Sequence, residues 1–294
     1  MISSIYDIKN CPPELGTFIG QQLKEDDLSA LRYQLYHSAQ PGIIRFPNFL
    51  STSQTEHVRN VWTTPGIEKR FEPLDGVGRY VGCPNSMAQR EGGNATYFNM
   101  SWAPTYDEFT KTLAISLQIL RNRLEGKLPY GELFGDVGKA MSFRMVHSRN
   151  HPDWIEEHTD YYDPENPLDS LKHDLSRLQI TVVFSEKGKD YRGEGFSFKD
   201  NTGRWLNIGD DVPALPGDVF VWRYINPHRV GSIVSDEHQL GFLRMLMPPE
   251  DLKKFSDVRQ KSKTVKEIER VRMKLSAITY GLKLKTKSIL RGEI

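Results

Sequence analysis

The chain has 294 residues, a net charge of +1, 38% hydrophobic residues and 26% charged residues. This composition is typical of a globular protein and excludes a disordered or fibrous one. No apolar run approaches the roughly 20 residues of a membrane-spanning helix, and the N-terminus has no basic segment followed by an apolar stretch, so we expect a cytoplasmic protein without a membrane partner. The two cysteines, Cys11 and Cys83, are too few for a disulfide scaffold or a thiolate metal site. A metal ion would therefore be bound by His and carboxylate side chains.

The first elements in chain order are helical, with one short strand between them. Leucines at helical spacing predict a helix over 23–36, and a turn then leads into a strand over 43–46. A second helix is expected to begin at Ser51. The segment 72–104 is rich in Gly, Pro and Asn without sustained periodicity, which indicates a long loop or broken strands.

The clearest helix is predicted over 105–127. Thr105 with Glu108 three residues later has the pattern of a capping box. One face carries an apolar stripe that predicts core packing, formed by Phe109, Leu113, Leu117, Leu120 and Leu124. We expect residues 1–138 to form a mixed, mostly helical support for the remainder of the chain.

Between residues 139 and 249 the spacing of hydrophobic residues changes from a helical to a strand-like period. Short strands are predicted at 140–147, 157–162, 178–185, 195–198, near Trp205, and at 219–224, 228–234 and 240–247. No helices alternate with them, which argues against a doubly wound parallel sheet. The pattern predicts an α+β protein, mainly β with flanking helices, around a jelly-roll core.

The C-terminal segment is basic and amphipathic. Residues 251–294 carry 13 Lys and Arg against 5 Asp and Glu. A helix is predicted over 250–294, with an apolar stripe of Val265, Ile268, Leu275, Ile278 and Leu282. A basic segment can bind nucleic acid, but it can also pack against the acidic remainder of the chain. We expect the latter, within a single domain 1–294 made of residues 1–138, 139–249 and 250–294.

Two His-x-Asp triplets could each supply two ligands to a metal ion, His151-Pro152-Asp153 and His158-Thr159-Asp160. Residues two positions apart in a strand point to the same face, so a strand can present the imidazole and the carboxylate together. The proline of the first triplet cannot donate to a strand ladder. The second continues into two tyrosines with the β-branched and aromatic filling of a strand. We therefore predict that His158 and Asp160 are ligands and that His151 is not.

A third ligand and a cation lie further along the chain. His228 comes after a predicted turn and strand, which can return this distant position to the first two ligands. Two His and one carboxylate leave the other metal positions open, as in non-heme Fe(II) oxygenases. Arg244 lies in an otherwise apolar strand, where a guanidinium is costly unless it is paired. The pair could be an internal carboxylate or the carboxylate of a bound ligand.

Taken in order, His158, Asp160, His228 and Arg244 resemble the pattern of the Fe(II)- and 2-oxoglutarate-dependent oxygenases, in the branch of prolyl hydroxylases and small-molecule hydroxylases. The resemblance covers residues 140–248. It implies a double-stranded β-helix (jelly-roll) core and the cofactors Fe(II) and 2-oxoglutarate. It also implies that the first three residues bind Fe(II) and that Arg244 holds the far carboxylate of 2-oxoglutarate.

Three positions need separate assignment. Several branches of the family have Ser or Thr two residues after the arginine, where this chain has Leu246. Prolyl-hydroxylase-like members often have a Tyr before the triplet, where this chain has His147. We name His147 and Arg144, on one predicted strand, as candidates for binding the cosubstrate, and a surface ion pair is the alternative for Arg144.

The resemblance implies a dioxygenase that hydroxylates an unactivated C–H bond of a small molecule, such as an amino acid or a natural-product intermediate, and releases succinate and CO2. A prolyl-type protein hydroxylase is the alternative within the family. Outside it, a cupin-like protein would bind metal without consuming 2-oxoglutarate, and a nucleic-acid-binding module would use residues 253–291. A homodimer is compatible with each of these functions.

Overall fold

The computed structural model describes residues 6–7, 25–67, 72–73, 86–89, 95–101, 107–129, 142–150, 155–159 and 176–249. The chain divides into two compact units, Met1–Leu252 and Lys253–Ile294, and the described residues all belong to the first. The predicted basic helix, Asp160 and His151 lie outside them. No helix in the described ranges is both long and apolar enough to cross a membrane.

The described part of the chain has three helices, α1 (Glu25–Tyr36), α2 (Thr52–Trp62) and α3 (Glu108–Leu124). A capping box begins α2, since the Ser51 side chain accepts from the Gln54 backbone N–H and the Gln54 side chain accepts from the Ser51 backbone N–H. At α3 the carboxylate of Asp107 accepts from the Thr110 backbone N–H at 2.7 Å. Both helices thus begin where a side chain satisfies backbone donors that have no partner within the helix.

Fifteen strands accompany these helices: β1 (Tyr6–Asp7), β2 (Ile43–Phe46), β3 (Glu72–Pro73), β4 (Ser86–Gln89), β5 (Ala95–Ser101), β6 (Ser142–Ser148), β7 (Ile155–His158), β8 (Leu178–Val183), β9 (Arg192–Gly193), β10 (Phe196–Lys199), β11 (Trp205–Asn207), β12 (Val219–Arg223), β13 (His228–Val230), β14 (Ile233–Val234) and β15 (Phe242–Met247). A large sheet has the order β1-β2-β12-β8-β15-β6-β5-β4-β3, and a small sheet has the order β11-β10-β13-β7. The pair β14-β9 stands apart. Most neighbours are antiparallel, which agrees with the predicted α+β class.

The two faces of the large sheet are buried in different ways. Leu178, Ile180 and Val182 of β8 belong to a core that includes α1, α2 and α3. Val183, whose side chain alternates with theirs, belongs to a second core that includes Phe196 and Phe198 of the small sheet. We call this second side of the large sheet the inner face, and its apolar members include Val183, Phe220, Trp222 and Leu246. The large sheet therefore has helices on one face and the small sheet on the other.

Several sequence predictions are confirmed with small shifts at their ends. Both early helices and the strand over 43–46 form as expected. Within 72–104 the described segments are strands, and β5 pairs along its whole length with β6. The strands predicted from 178 onward also form, although the segment 228–234 is divided into β13 and β14. The division falls at Gly231, where a Cβ would lie 2.4 Å from the Glu194 Cβ, and the chain there changes its partner from β10 to β9.

Two local predictions are wrong. The capping box of Thr105 does not begin α3, because Asp107 is the N-cap and its carboxylate accepts from both the backbone and the hydroxyl of Thr110. The strand predicted over 157–162 begins earlier and ends at His158, the last position where β7 is paired with β13. Thr159 belongs to no strand, and residues 160–162 lie outside the described part.

Candidate functional site

The two predicted histidine ligands lie side by side in the small sheet. His158 on β7 is directly opposite His228 on β13, and their ring centroids are 4.4 Å apart. His228 is buried and His158 is half-buried. Two imidazoles at this separation can bind one metal ion, because imidazole is a common ligand of Fe and Zn.

His228 reaches this position because of a turn between the two sheets. After β12 ends in the large sheet, the turn 224–227 leads the chain to the small sheet, where the Pro227 carbonyl accepts from the Lys199 backbone N–H at 2.7 Å. His228 is then the first residue of β13, opposite Phe198. The Asn226 carbonyl oxygen lies 3.4 Å from Nδ1 of His228. This contact favours a proton on Nδ1 and leaves Nε2 as the metal-binding nitrogen.

Aromatic rings surround the histidine pair on the inner side. The ring centroid of His228 lies 5.8 Å from that of Phe196 and 6.4 Å from that of Trp222. Phe196 and Trp222 lie 5.3 Å apart, and both are buried. These rings bring the large sheet and the small sheet together beside the histidines and keep bulk water away from that side of the pair.

Arg244 lies on the inner face of the large sheet. It is 4% exposed, in β15, opposite Val183 of β8 and Val146 of β6. Its Cζ lies 4.6 Å from the ring centroid of Phe196, the same ring that contacts His228. A single phenylalanine therefore separates the guanidinium from the histidine pair, and the two predicted binding groups share one interior.

Tyr191 stands beside Arg244, and the sequence analysis missed it. Its ring centroid lies 4.9 Å from that of Phe242, and a Cβ at Gly195 would come within 2.9 Å of its hydroxyl. Burial raises the pKa of Tyr191 above its usual value, while the nearby charge of Arg244 acts in the opposite direction. The phenol stays protonated at neutral pH and can donate to an anion. The signal available in the sequence was a tyrosine two residues before Gly193 and four residues before Gly195.

Thr181 places a hydroxyl beside Leu246, the position two residues after Arg244 where the sequence has no Ser or Thr. Its strand β8 runs beside β15, and Thr181 lies directly opposite Leu246. A hydroxyl is therefore present on the inner face, across the ladder from Leu246. Thr181 is fully buried, and no hydrogen-bond partner for its Oγ1 exists in the described part of the chain. Only the strand register could reveal this.

The structure separates the two remaining candidates. Arg144 on β6 lies opposite Leu246, so it shares the inner face with Arg244. His147 lies opposite Leu243, which belongs to the helix-side core, so it points to the other face of the sheet. There Nε2 of His147 donates to the Leu240 carbonyl at 2.7 Å, and burial lowers the pKa of the ring. The prediction that His147 joins the site is not supported, because one position along a strand reverses the face.

The third predicted ligand, Asp160, lies outside the described residues, as does His151. Among the residues that the structure describes, no group of three or more His, Cys, Asp or Glu is placed to hold a metal ion. The role of Asp160 as a ligand therefore stays a prediction, and so does the choice between the two His-x-Asp triplets.

No protein-family model and no curated protein sequence matches the chain. Among solved structures, a prolyl-4-hydroxylase from Pseudomonas putida has 12% identity and a TM-score of 0.45, with 75% of this chain and 96% of that chain covered. An oxidoreductase of the 2OG-Fe(II) oxygenase family from Burkholderia pseudomallei has 9% identity and a TM-score of 0.44, with 86% and 98% covered. SnoK, a non-heme alpha ketoglutarate dependent carbocyclase from nogalamycin biosynthesis, has 14% identity and a TM-score of 0.47, with 77% and 83% covered.

The Burkholderia protein is described as a member of the 2OG-Fe(II) oxygenase family, which is the family that this sequence resembles. The identities of these three structures to this chain are 9–14%, and their TM-scores lie below 0.5.

Proposed function

We propose that this protein is an Fe(II)- and 2-oxoglutarate-dependent oxygenase that hydroxylates an unactivated C–H bond of a small molecule. The observation that carries the proposal is the pairing of His158 with His228 in one sheet, with Arg244 of the facing sheet in contact with the same phenylalanine as His228. We further infer that the two facing sheets form a jelly-roll core.

The residues present fit Fe(II). The two imidazoles are adjacent, and Asp160 two positions after His158 would complete a two-histidine, one-carboxylate set. Such a set leaves metal positions open for a chelating cosubstrate and for oxygen.

The residues beside Arg244 fit the far carboxylate of 2-oxoglutarate. Arg244 offers a planar fork of donors that can bind a carboxylate at two oxygens. Tyr191 is buried and protonated beside it, and the Oγ1 of Thr181 is buried without a described partner. A carboxylate bound here would accept hydrogen bonds from all three side chains, which explains why a hydroxyl is buried at Thr181.

Bound Fe(II) and 2-oxoglutarate together supply oxidation of a C–H bond by oxygen, with succinate and CO2 as products of the cosubstrate. The chain's own residues would bind the metal ion and the cosubstrate, orient them and exclude water. The Asn226 carbonyl orients the ring of His228, and Phe196 and Trp222 exclude water from its inner side. Arg244 and Tyr191 would hold the far carboxylate and thereby orient the cosubstrate relative to the histidine pair.

An anaerobic titration with Fe(II) and 2-oxoglutarate tests this function. We expect a visible charge-transfer band from the chelate, and a weakened band in Arg244→Ala. Replacing His158, Asp160 or His228 by Ala should abolish Fe(II) binding. His151→Ala is the matched control, because it removes a histidine from the neighbouring triplet, and we expect it to bind Fe(II) and form the band normally.

Other outcomes would contradict the proposal. Metal binding without a band, and without dependence on Arg244, would favour the cupin-like binding protein. Loss of binding in His151→Ala with normal binding in His158→Ala would mean that the first triplet supplies the ligands. Once the band is established, succinate release in the presence of small molecules or prolyl peptides separates the small-molecule hydroxylase from the protein hydroxylase.

A further inference from the structure

Two fully buried polar side chains face each other at the metal end of the inner face. Gln179 on β8 lies directly opposite Trp222 on β12, and neither is exposed. Directly opposite residues share a face and have Cβ atoms about 5 Å apart. Nε2 and Oε1 of Gln179 and Nε1 of Trp222 have no hydrogen-bond partner within the described ranges.

This pair lies at the opposite end of β8 from the arginine. Val183 is opposite Arg244, and Gln179 is four positions earlier on the same face, about 13 Å along the strand. Trp222 lies beside the metal-binding pair instead, with its ring centroid 6.4 Å from that of His228. Gln179 and Trp222 therefore lie toward the histidine end of the inner face, and Val183 lies toward Arg244.

Burying polar atoms without partners is costly, and apolar residues would fill an interior sheet position without that cost. A bound ligand or an ordered water would satisfy the hydrogen-bonding atoms of Gln179 and Trp222. The walls are apolar and aromatic, since Phe196 and Phe198 contact the ring of Trp222 at centroid distances of 5.3 and 6.4 Å.

The hydrogen-bonding atoms of Gln179 and Trp222 indicate which chemical class of ligand would fit between them. The Gln179 carboxamide offers a donor and an acceptor side by side, and the Trp222 indole offers one donor. A carboxylate only accepts, so it would leave Oε1 of Gln179 without a donor. An ammonium group only donates, so it would leave Nε2 of Gln179 and Nε1 of Trp222 without acceptors. A lactam is a cis amide, with its N–H and its carbonyl on the same edge, and it matches both side chains.

We propose that Gln179 and Trp222 form a substrate-recognition site, here called the amide site, which binds the cis-amide edge of a lactam in the primary substrate. The amide site rests on the proposed function, because that function makes the space beside His228 the position of the C–H bond to be oxidised. It selects a substrate that carries an uncharged amide next to the reacting carbon.

The test uses three small probes that differ in one group. 2-Piperidone carries the N–H and the carbonyl, N-methyl-2-piperidone lacks the N–H, and cyclohexanone has only the carbonyl. Their dissociation constants are measured by ligand-observed NMR on the full chain loaded with Zn(II) and 2-oxoglutarate, where no turnover occurs. We expect 2-piperidone to bind about tenfold more tightly than either analogue, because an analogue without the N–H leaves the Gln179 carbonyl unpaired.

Variants assign the effect to the two side chains. Gln179→Met keeps the volume and removes both hydrogen-bonding atoms, so it should weaken 2-piperidone about tenfold and weaken N-methyl-2-piperidone less, because that analogue loses only the Nε2 donor. Trp222→Phe, which removes the indole donor, should weaken every probe that carries a carbonyl. Gln40→Met is the matched control, since it makes the same substitution in a surface turn and should change nothing.

The amide site is wrong if 2-piperidone does not bind to the wild-type protein, or if it binds no better than its N-methyl analogue. It is also wrong if Gln179→Met binds all probes as the wild type does, which would mean that ordered water alone satisfies Gln179. These failures are distinct from failure of the proposed function. A normal Fe(II) and 2-oxoglutarate band without lactam discrimination overturns only the amide site. Lactam discrimination without a band overturns only the oxygenase.

Discussion

At the scale of single residues, Thr181 combines a structural cost with a proposed binding role. Its buried Oγ1 has no described partner, and replacing such a hydroxyl by a methyl group of the same shape is stabilising or nearly neutral. We predict that Thr181→Val raises the free energy of unfolding of the metal-free protein by about 1 kcal/mol. The same variant should weaken 2-oxoglutarate binding about tenfold, as measured by titration of the chelate band.

A second change gives this prediction a control. Leu246 lies opposite Thr181, so the double variant Thr181→Val with Leu246→Thr returns a hydroxyl to the same row of the sheet. It should recover much of the lost 2-oxoglutarate affinity. Unchanged affinity in Thr181→Val would show that the hydroxyl has no contact with the cosubstrate.

Tyr191 permits a cleaner test of a single hydrogen bond. Its phenol is buried beside Arg244 and stays protonated, because burial raises its pKa. Tyr191→Phe removes only the hydroxyl, and we predict about a tenfold rise in the dissociation constant of 2-oxoglutarate with Fe(II) binding unchanged. His147→Gln, on the opposite face of the sheet, should leave both constants as they are. Equal effects of the two substitutions would contradict the assignment.

At the scale of elements, the turn before β12 depends on one buried carboxylate. Asp218 accepts from Arg45 Nε at 2.9 Å, from the Asn48 N–H at 2.8 Å and from the Leu215 N–H at 2.9 Å. Removing one partner of a buried ion pair costs about 3–5 kcal/mol, because the other charge stays buried. We therefore predict a loss of this size in Asp218→Ala, measured by urea unfolding. A loss below about 1 kcal/mol would mean that solvent reaches Arg45.

The beginning of α3 makes a smaller contribution that depends on pH. Burial acts to raise the pKa of Asp107, but hydrogen bonds from Thr110 and the contact with His57 outweigh it, so the pKa lies below its usual value. A lowered carboxyl pKa stabilises the fold above the pKa of the unfolded chain, and this contribution is lost as the pH falls through the folded value. Asp107→Ala should cost about 1 kcal/mol at pH 7.

Unfolding experiments at several pH values check this prediction. The difference between Asp107→Ala and the wild type should shrink as the pH is lowered below about 4, the ordinary pKa of an aspartate. A difference that stays constant across this range would show that the charge of Asp107 is not involved in capping.

At the scale of the whole molecule, the two sheets contribute different halves of the site. The histidine pair lies in the small sheet, whereas Arg244 and Thr181 lie in the large sheet. A ligand that binds the metal and Arg244 together therefore links the sheets. A ligand at about 100 times its dissociation constant stabilises the native state by about 2.7 kcal/mol.

We predict that Fe(II) alone raises the melting temperature, and that 2-oxoglutarate raises it further only when Fe(II) is present. Anaerobic thermal unfolding measures both shifts. His228→Ala should show neither, and Arg244→Ala should show only the first. A full 2-oxoglutarate shift in Arg244→Ala would mean that the two sheets are not linked through this residue.

Local sequence patterns predict most of the helices and strands and identify the main chemical groups. Helical leucine spacing predicted α1, and alternation predicted most strands from 178 onward, because these patterns are local. The order of His158, Asp160, His228 and Arg244 indicated the proposed chemistry before any contact was known. The same local reasoning assigned the N-cap of α3 to the wrong residue, because the choice between Thr105 and Asp107 depends on where the chain enters the helix.

Which side chains share the interior depends on contacts between distant parts of the chain. Strand register turns His147 away from Arg244 and brings Thr181 opposite Leu246, and a loop carries Tyr191 to Arg244. These contacts join positions far apart in sequence. A shift of one residue in strand register would turn the side chains of that strand to the opposite face of the sheet. The chain's sequence thus supplies the reactive groups, whereas pairing between distant strands determines which of them meet, because register is a property of two strands and not of one.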